Sequence, residues 1–292
     1  MGGRKLFAAG LALAAALALP AAAQVPVKIY AQELVDQAVA RNPGLLVMVM
    51  HVTPPKTQDN VIIASNIGRI GKLADEDDLR VIETGKSNLE VNSGGDRFEV
   101  ELVLHDAVGE NIGALGLVYP YKKGIDKAAL EKRAIAIRDA LARRILGIGN
   151  LMDPYPFEAG ATTKTHAQKL VDALQAKNSD LLVLALRAPP RGARDMVVLG
   201  STFGRHGKKA DGDDLQVLES PAPRTGTYAN GKRFGADLQL HDRSGKAIGT
   251  LNVGYAYRQG DDEKALLGKA ERLRDMLARL IPSADRLDEL DP

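Results

Sequence analysis

The chain has 292 residues, 45% hydrophobic and 26% charged, which is the composition of a folded globular protein. Its 39 Lys and Arg nearly balance 37 Asp and Glu, so it lacks the basic field that draws nucleic acid. With no cysteine it forms no disulfide and carries no cysteine-linked lipid. With no tryptophan and 4% aromatics its core must be Leu, Val, Ile and Ala.

Residues 1–23 have the order of a secretory signal peptide. Arg4 and Lys5 precede an apolar run from Leu6 to Leu19, and Pro20, Ala21, Ala22 and Ala23 lead to Gln24. The run of about 14 residues is short of the about 20 that span a bilayer. Cleavage after Ala23 is therefore expected, leaving a periplasmic protein with no membrane span.

The mature part is an internal duplication. From residue 31 to residue 145 it aligns without a gap to a second copy about 136 residues downstream, at about 40% identity. Ala31-Gln32, Gly68-Arg69, Gly71-Lys72, Asp77-Asp78-Leu79, Arg97-Phe98 and His105-Asp106 meet Ala167-Gln168, Gly204-Arg205, Gly207-Lys208, Asp213-Asp214-Leu215, Arg233-Phe234 and His241-Asp242. Each copy is long enough to own a core, so two tandem domains are expected. The division is a first module at 24–147, a turn-rich linker at 148–165, a second module at 166–282, and a flexible acidic tail at 283–292.

Every element can be read twice. Leu34, Val35 and Ala38, and Leu170, Val171 and Leu174, are spaced for a helix. The apolar runs Leu45–Met50 and Leu181–Leu186 predict strands buried on both faces, followed by strands at 60–65 and 196–201. A Gly- and Lys-rich loop spans 68–75, and Asp75 is placed to cap a short helix through Glu83. The strand 97–104 alternates Phe98, Val100, Leu102 and Leu104 against Glu99, Glu101 and Val103. Asp106 and Gly109 turn the chain into a last strand, 112–121, and a long helix at 127–145 closes the module.

This order, with the stretch V-I-I-A-S-N-I-G-R-I-G-K at 61–72 and the hairpin H-D-x-x-G-x-x-I-G-x-L at 105–115, resembles the PAS fold and its extracytoplasmic relative, the Cache (PDC) sensor domain. The resemblance implies an α+β fold. It consists of two modules, each a mainly antiparallel sheet of about five strands flanked by N- and C-terminal helices. It also implies a pocket near the 65–72 loop, where Arg69 and Arg205 could clamp a carboxylate with the guanidinium fork. The alternative is that these arginines brace the loop by pairing with Asp75 and Asp211. Family members usually adjoin membrane helices and an output domain. Neither is evident here, so the chain reads as sensor modules free in the periplasm.

Other motifs dissolve on inspection. Gly71-Lys72 and Gly207-Lys208 are followed by Leu73 and Lys209 where a phosphate loop needs Ser or Thr. His105-Asp106 and His241-Asp242 are neighbours whose side chains point apart, so a turn role for Asp is expected rather than a metal pair. Ser65 and Ser201 have no fixed His–acid partner, and Glu99 with Glu101 reads as a solvated sheet face. No catalytic, cofactor or metal set recurs in both copies. The candidate ligand-binding residues are Arg69, Lys72, Arg97 and Tyr119, with their copies Arg205, Lys208, Arg233 and Tyr255. The expected role is signalling: non-enzymatic binding of a small polar molecule, with a carboxylate as the leading class. The alternative is a ligand-free module that docks onto a membrane receptor or other envelope partner.

Overall fold

In the computed structural model residues 27–291 are described, so the expected signal at 1–23 lies outside the described residues. Helix α1 (Tyr30–Arg41) buries Ala31, Leu34, Val35 and Ala38, the stripe that its spacing requires. Strands β1 (Val47–Val52) and β2 (Val61–Ser65) follow. Helix α2 (Glu76–Thr84) starts at Asp75, whose carboxylate accepts from the Asp78 amide while Asp78 accepts from the Asp75 amide. This reciprocal cap is worth about 1 kcal/mol. Strands β3 (Asn88–Val91), β4 (Arg97–His105) and β5 (Asn111–Pro120) and helix α3 (Lys127–Ala142) complete the series.

The strands form one antiparallel sheet in the order β2-β1-β5-β4-β3. One face carries Met48, Met50, Phe98, Val100, Leu102, Leu104, Leu115 and Leu117 against α1 and α3, and this is the core. The other face carries Glu99 and Glu101 and is partly covered by α2. Glu101 is only 8% exposed. The expectation of a solvated face is thereby corrected, because α2 folds back over it. Asp106 does serve its turn, accepting from the amides of Val108 and Glu110.

The second copy repeats the architecture: α5 (His166–Lys177), β6 (Leu181–Ala188), β7 (Val197–Ser201), α6 (Gly212–Glu219), β8 (Arg224–Tyr228), β9 (Arg233–His241), β10 (Ala247–Ala256) and α7 (Glu263–Leu280). Its sheet order is β7-β6-β10-β9-β8. The chain is thus α+β, with two five-stranded antiparallel sheets, each flanked by helices.

The stretches expected as linker and tail take corresponding places. Helix α4 (Ile148–Leu151) inserts Leu151 into the first core, and α8 (Ala284–Asp288) inserts Leu287 into the second. Backbone bonds tie each back to the start of its own module. Tyr30 N donates to Asp153 O and Tyr155 N to Lys28 O, while His166 N donates to Glu289 O and Asp291 N to Lys164 O. The repeat therefore runs to residue 155 in one copy and 291 in the other. The tail is pinned further by Asp291, which lies 2.8 Å from His166 Nδ1 and 3.1 Å from Lys169 Nζ.

The modules meet head to tail. The loop after β7 presents Phe203, Arg205 and His206 to the end of the first module. Asn150 Nδ2 donates to Phe203 O at 3.0 Å, and Arg205 Nε to Asp153 Oδ2 at 2.7 Å. The ring of His206 sits edge-on to Tyr155. Among the described residues no helix is long and apolar enough to cross a membrane.

Candidate functional site

The uncovered part of the first sheet's second face is a cavity of about 360 Å³. Val47, Val49 and His51 of β1, Val118 of β5, and Glu99 and Glu101 of β4 form its floor. The loop after β2 supplies Arg69 and Lys72, the start of α2 supplies Asp75, Asp77 and Asp78, and Glu90, Asn92 and Arg97 close the far side. The loop is held in place by the backbone, as Gly71 N donates to Ile62 O and Ile62 N to Lys72 O, both at 2.9 Å. Arg69 takes φ +66 to make that turn, a conformation uncommon for a residue with a side chain.

Six carboxylates share this cavity with three fixed cations. Burial, reinforced by Asp78, Glu99 and Asp75, pushes Glu101 up to about 7 against the opposing Asn88 hydrogen bond. Burial also raises Glu99, with Glu90 adding to the effect, and raises Asp78 against the pull of His51. His51 is pushed down by burial, though Asp78 and Asp75 oppose the shift, so the imidazole is neutral at pH 7. Its Nε2 lies 3.5 Å from Asp78 Oδ2, and its Nδ1 has no partner.

The second module has different contents on the same face. Arg187 replaces His51, is 9% exposed, and brings its Nε to 3.2 Å from Asp214 Oδ2. Gly235 stands where Glu99 stands, and the ring of Tyr228 packs so closely that a Cβ there would lie 2.6 Å from it. The Arg233 guanidinium stacks on that ring, 5.5 Å from its centre.

No protein-family model and no curated protein matches the chain. Among solved structures it is similar to the DhaR(N)–DhaL complex of E. coli, at 10% identity and TM-score 0.29, over 78% of this chain and 85% of that one. It is also similar to PelD from Pseudomonas aeruginosa, at 17% identity and TM-score 0.28, over 87% and 79%. A third is the periplasmic domain of RsbU from Chlamydia trachomatis, at 8% identity and TM-score 0.25, over 83% and 80%.

Arg69, Lys72 and Arg97 are brought together at the first cavity. Their copies are not. Arg205 is spent on Asp153 of the first module rather than on Asp211, Lys208 lies over the Phe157 ring, and Arg233 is stacked on Tyr228. Tyr119 and Tyr255 lie in the helix-side cores, on the opposite face of each sheet, because Val118 and Gly254 take the outward positions. Burial pushes the Tyr119 phenol up to about 12, and its hydroxyl has no partner. Sequence reasoning missed His51, Asp78 and Glu101 as site residues. The signal available was the alternation of Val47, Val49 and His51, which puts a histidine on the face opposite Met48 and Met50.

Burial and the nearby Arg144 lower His206 at the module interface to about 4. Unfolded histidine titrates near 6.5, so the interface keeps full stability above about pH 6.5. It then loses about 3 kcal/mol as the pH falls through 4. Urea unfolding at pH 7.5 and 4.5 checks this, and the acid loss is expected to shrink by most of that amount in His206→Gln.

Proposed function

We propose that the chain is a non-enzymatic periplasmic binding protein of sensor type. Its first module takes a small polar molecule with a carboxylate group, and its second module supports the first. The observation that carries this reading is the convergence of Arg69, Lys72 and Arg97 on a 360 Å³ cavity, against copies already engaged with protein groups. Three donors of fixed charge, two on the loop after β2 and Arg97 on the far side, line one concave site and suit an anionic group held between them. The non-enzymatic reading is supported by Ser65 and Ser201, whose hydroxyl oxygens accept from the amides of Ile67 and Phe203 as turn elements.

A thermal-shift screen of the chain against carboxylates and amino acids tests the reading. A ligand at about 100 times its Kd should add about 2.7 kcal/mol. Arg97→Ala is expected to weaken that ligand about 10- to 100-fold, the worth of a charge-assisted hydrogen bond, while Arg233→Ala leaves affinity unchanged. Equal losses in the two variants would remove the assignment to module one.

One observation favours a second reading, docking onto an envelope partner. Ile67 and Ile70 are 42% and 59% exposed on the first module's loop, whereas their copies Phe203 and His206 are buried against the neighbouring module. A flat ligand screen, together with a membrane partner captured by the chain and lost in Ile67→Asp/Ile70→Asp, would favour this reading.

A further inference from the structure

The two modules share three acids but not the cation that faces them. In module two Asp211, Asp214 and Asp237 surround the buried Arg187, whose charge is attracted by all three. In module one Asp75, Asp78 and Glu101 stand at the corresponding positions, with carboxylate oxygens all within 4.8 Å of one another. Arg187 is replaced there by His51, so the fixed guanidinium is gone while the acids remain. His51 is 3% exposed in the cavity wall, Nε2 toward Asp78 and Nδ1 unpartnered.

We propose that Asp75, Asp78, Glu101 and His51 form a site for a divalent metal ion at the floor of the first cavity. The spacing suits coordination. Two ligand atoms about 2.1 Å from one ion lie roughly 3–4 Å apart. His51 Nε2 and Asp78 Oδ2 are 3.5 Å apart, and the three carboxylates, within 4.8 Å of one another, would close slightly around an ion, with His51 joining beside Asp78. Carboxylates with one imidazole suit Mn²⁺ or Zn²⁺. The mutual cap between Asp75 and Asp78 uses only part of each carboxylate's accepting capacity, leaving lone pairs for an ion. The ion takes the electrostatic place that Arg187 holds in the second module. Arg69, Lys72 and Arg97 then face a site that binds anions more strongly. The inference rests on module one being the binding unit, as in the proposed function, but not on the identity of its organic ligand.

The test is equilibrium dialysis of the EDTA-treated full chain with Mn²⁺ and with Zn²⁺ alone, in carboxylate-free buffer. One ion per chain is expected. His51→Gln and Glu101→Gln should each weaken binding at least about tenfold, the loss seen even for outer-shell groups. Asp291→Asn, which removes the His166–Asp291 contact elsewhere, should change nothing. Thermal unfolding of each metal-free variant shows that it is folded, and either variant alone suffices. No binding at millimolar metal would overturn the proposal, as would an ion that survives both variants or is lost only with Asp291. Retention of the ion in Arg97→Ala separates this test from the carboxylate reading.

Discussion

Replacing Arg187 with methionine is expected to destabilise the second module by about 3–5 kcal/mol, the cost of removing one partner of a buried ion pair. The methionine keeps the apolar stem, so the loss is electrostatic. Asp214 is 7% exposed and pairs with Arg187, while Asp237 is a half-buried carboxylate that burial already pushes up. Without the guanidinium these acids keep their desolvation and lose their counter-charge. Urea unfolding at pH 7 measures the loss. At pH 5 the deficit is expected to narrow, because Asp237 then protonates more readily than it does beside Arg187. A deficit below about 1 kcal/mol at pH 7 would show that the acids find other compensation. His51→Ala, which removes no fixed charge, is expected to cost less than half as much.

Gly249→Ala is expected to cost about 3 kcal/mol or more, and Gly113→Ala the same in the first module. A Cβ at either position would lie 1.9 Å from a backbone carbonyl oxygen, that of Arg187 or of His51. Overpacking typically costs about 1–3 kcal/mol when side chains can yield. Here the obstruction is the neighbouring strand's own backbone, at the centre of the sheet, so the β1–β5 or β6–β10 pairing must part. A fall in Tm of roughly 10 °C should follow. Gly212, with nothing within 4 Å of a Cβ and the first place in α6, is the control. Gly212→Ala is expected to be neutral or slightly stabilising.

The same glycines show why half of the site escaped the sequence. Gly113 and His51 are more than sixty positions apart, and only the central place of β1, between β2 and β5, makes them neighbours. Arg69 and Lys72 were legible as site candidates because they lie in a Gly-rich loop that repeats. Tyr119, a candidate from the sequence, lies on the core side of its strand, because register decides which of two adjacent residues points outward. Glu101 reads as solvated from sequence because its burial depends on α2, a separate element at Glu76–Thr84 with strand β3 between.

The sequence alone determined the duplication, the α+β class, the order of the main elements apart from β3, β8, α4 and α8, and the cap of α2. These are local properties: hydrophobic period, turn residues and capping carboxylates within a few positions of one another. Tertiary structure decided three things that have no local signature. One was where each module ends, since the bonds from Tyr30 to Asp153 and from His166 to Glu289 join backbone groups and leave no trace in side-chain identity. Another was which copies of the basic residues remain free, since Arg205 is claimed by a residue of the other module. The last was that one set of acids faces a built-in guanidinium while its twin faces a neutral imidazole, because that depends on which strand brings residue 51 or 187 beneath the capped helix.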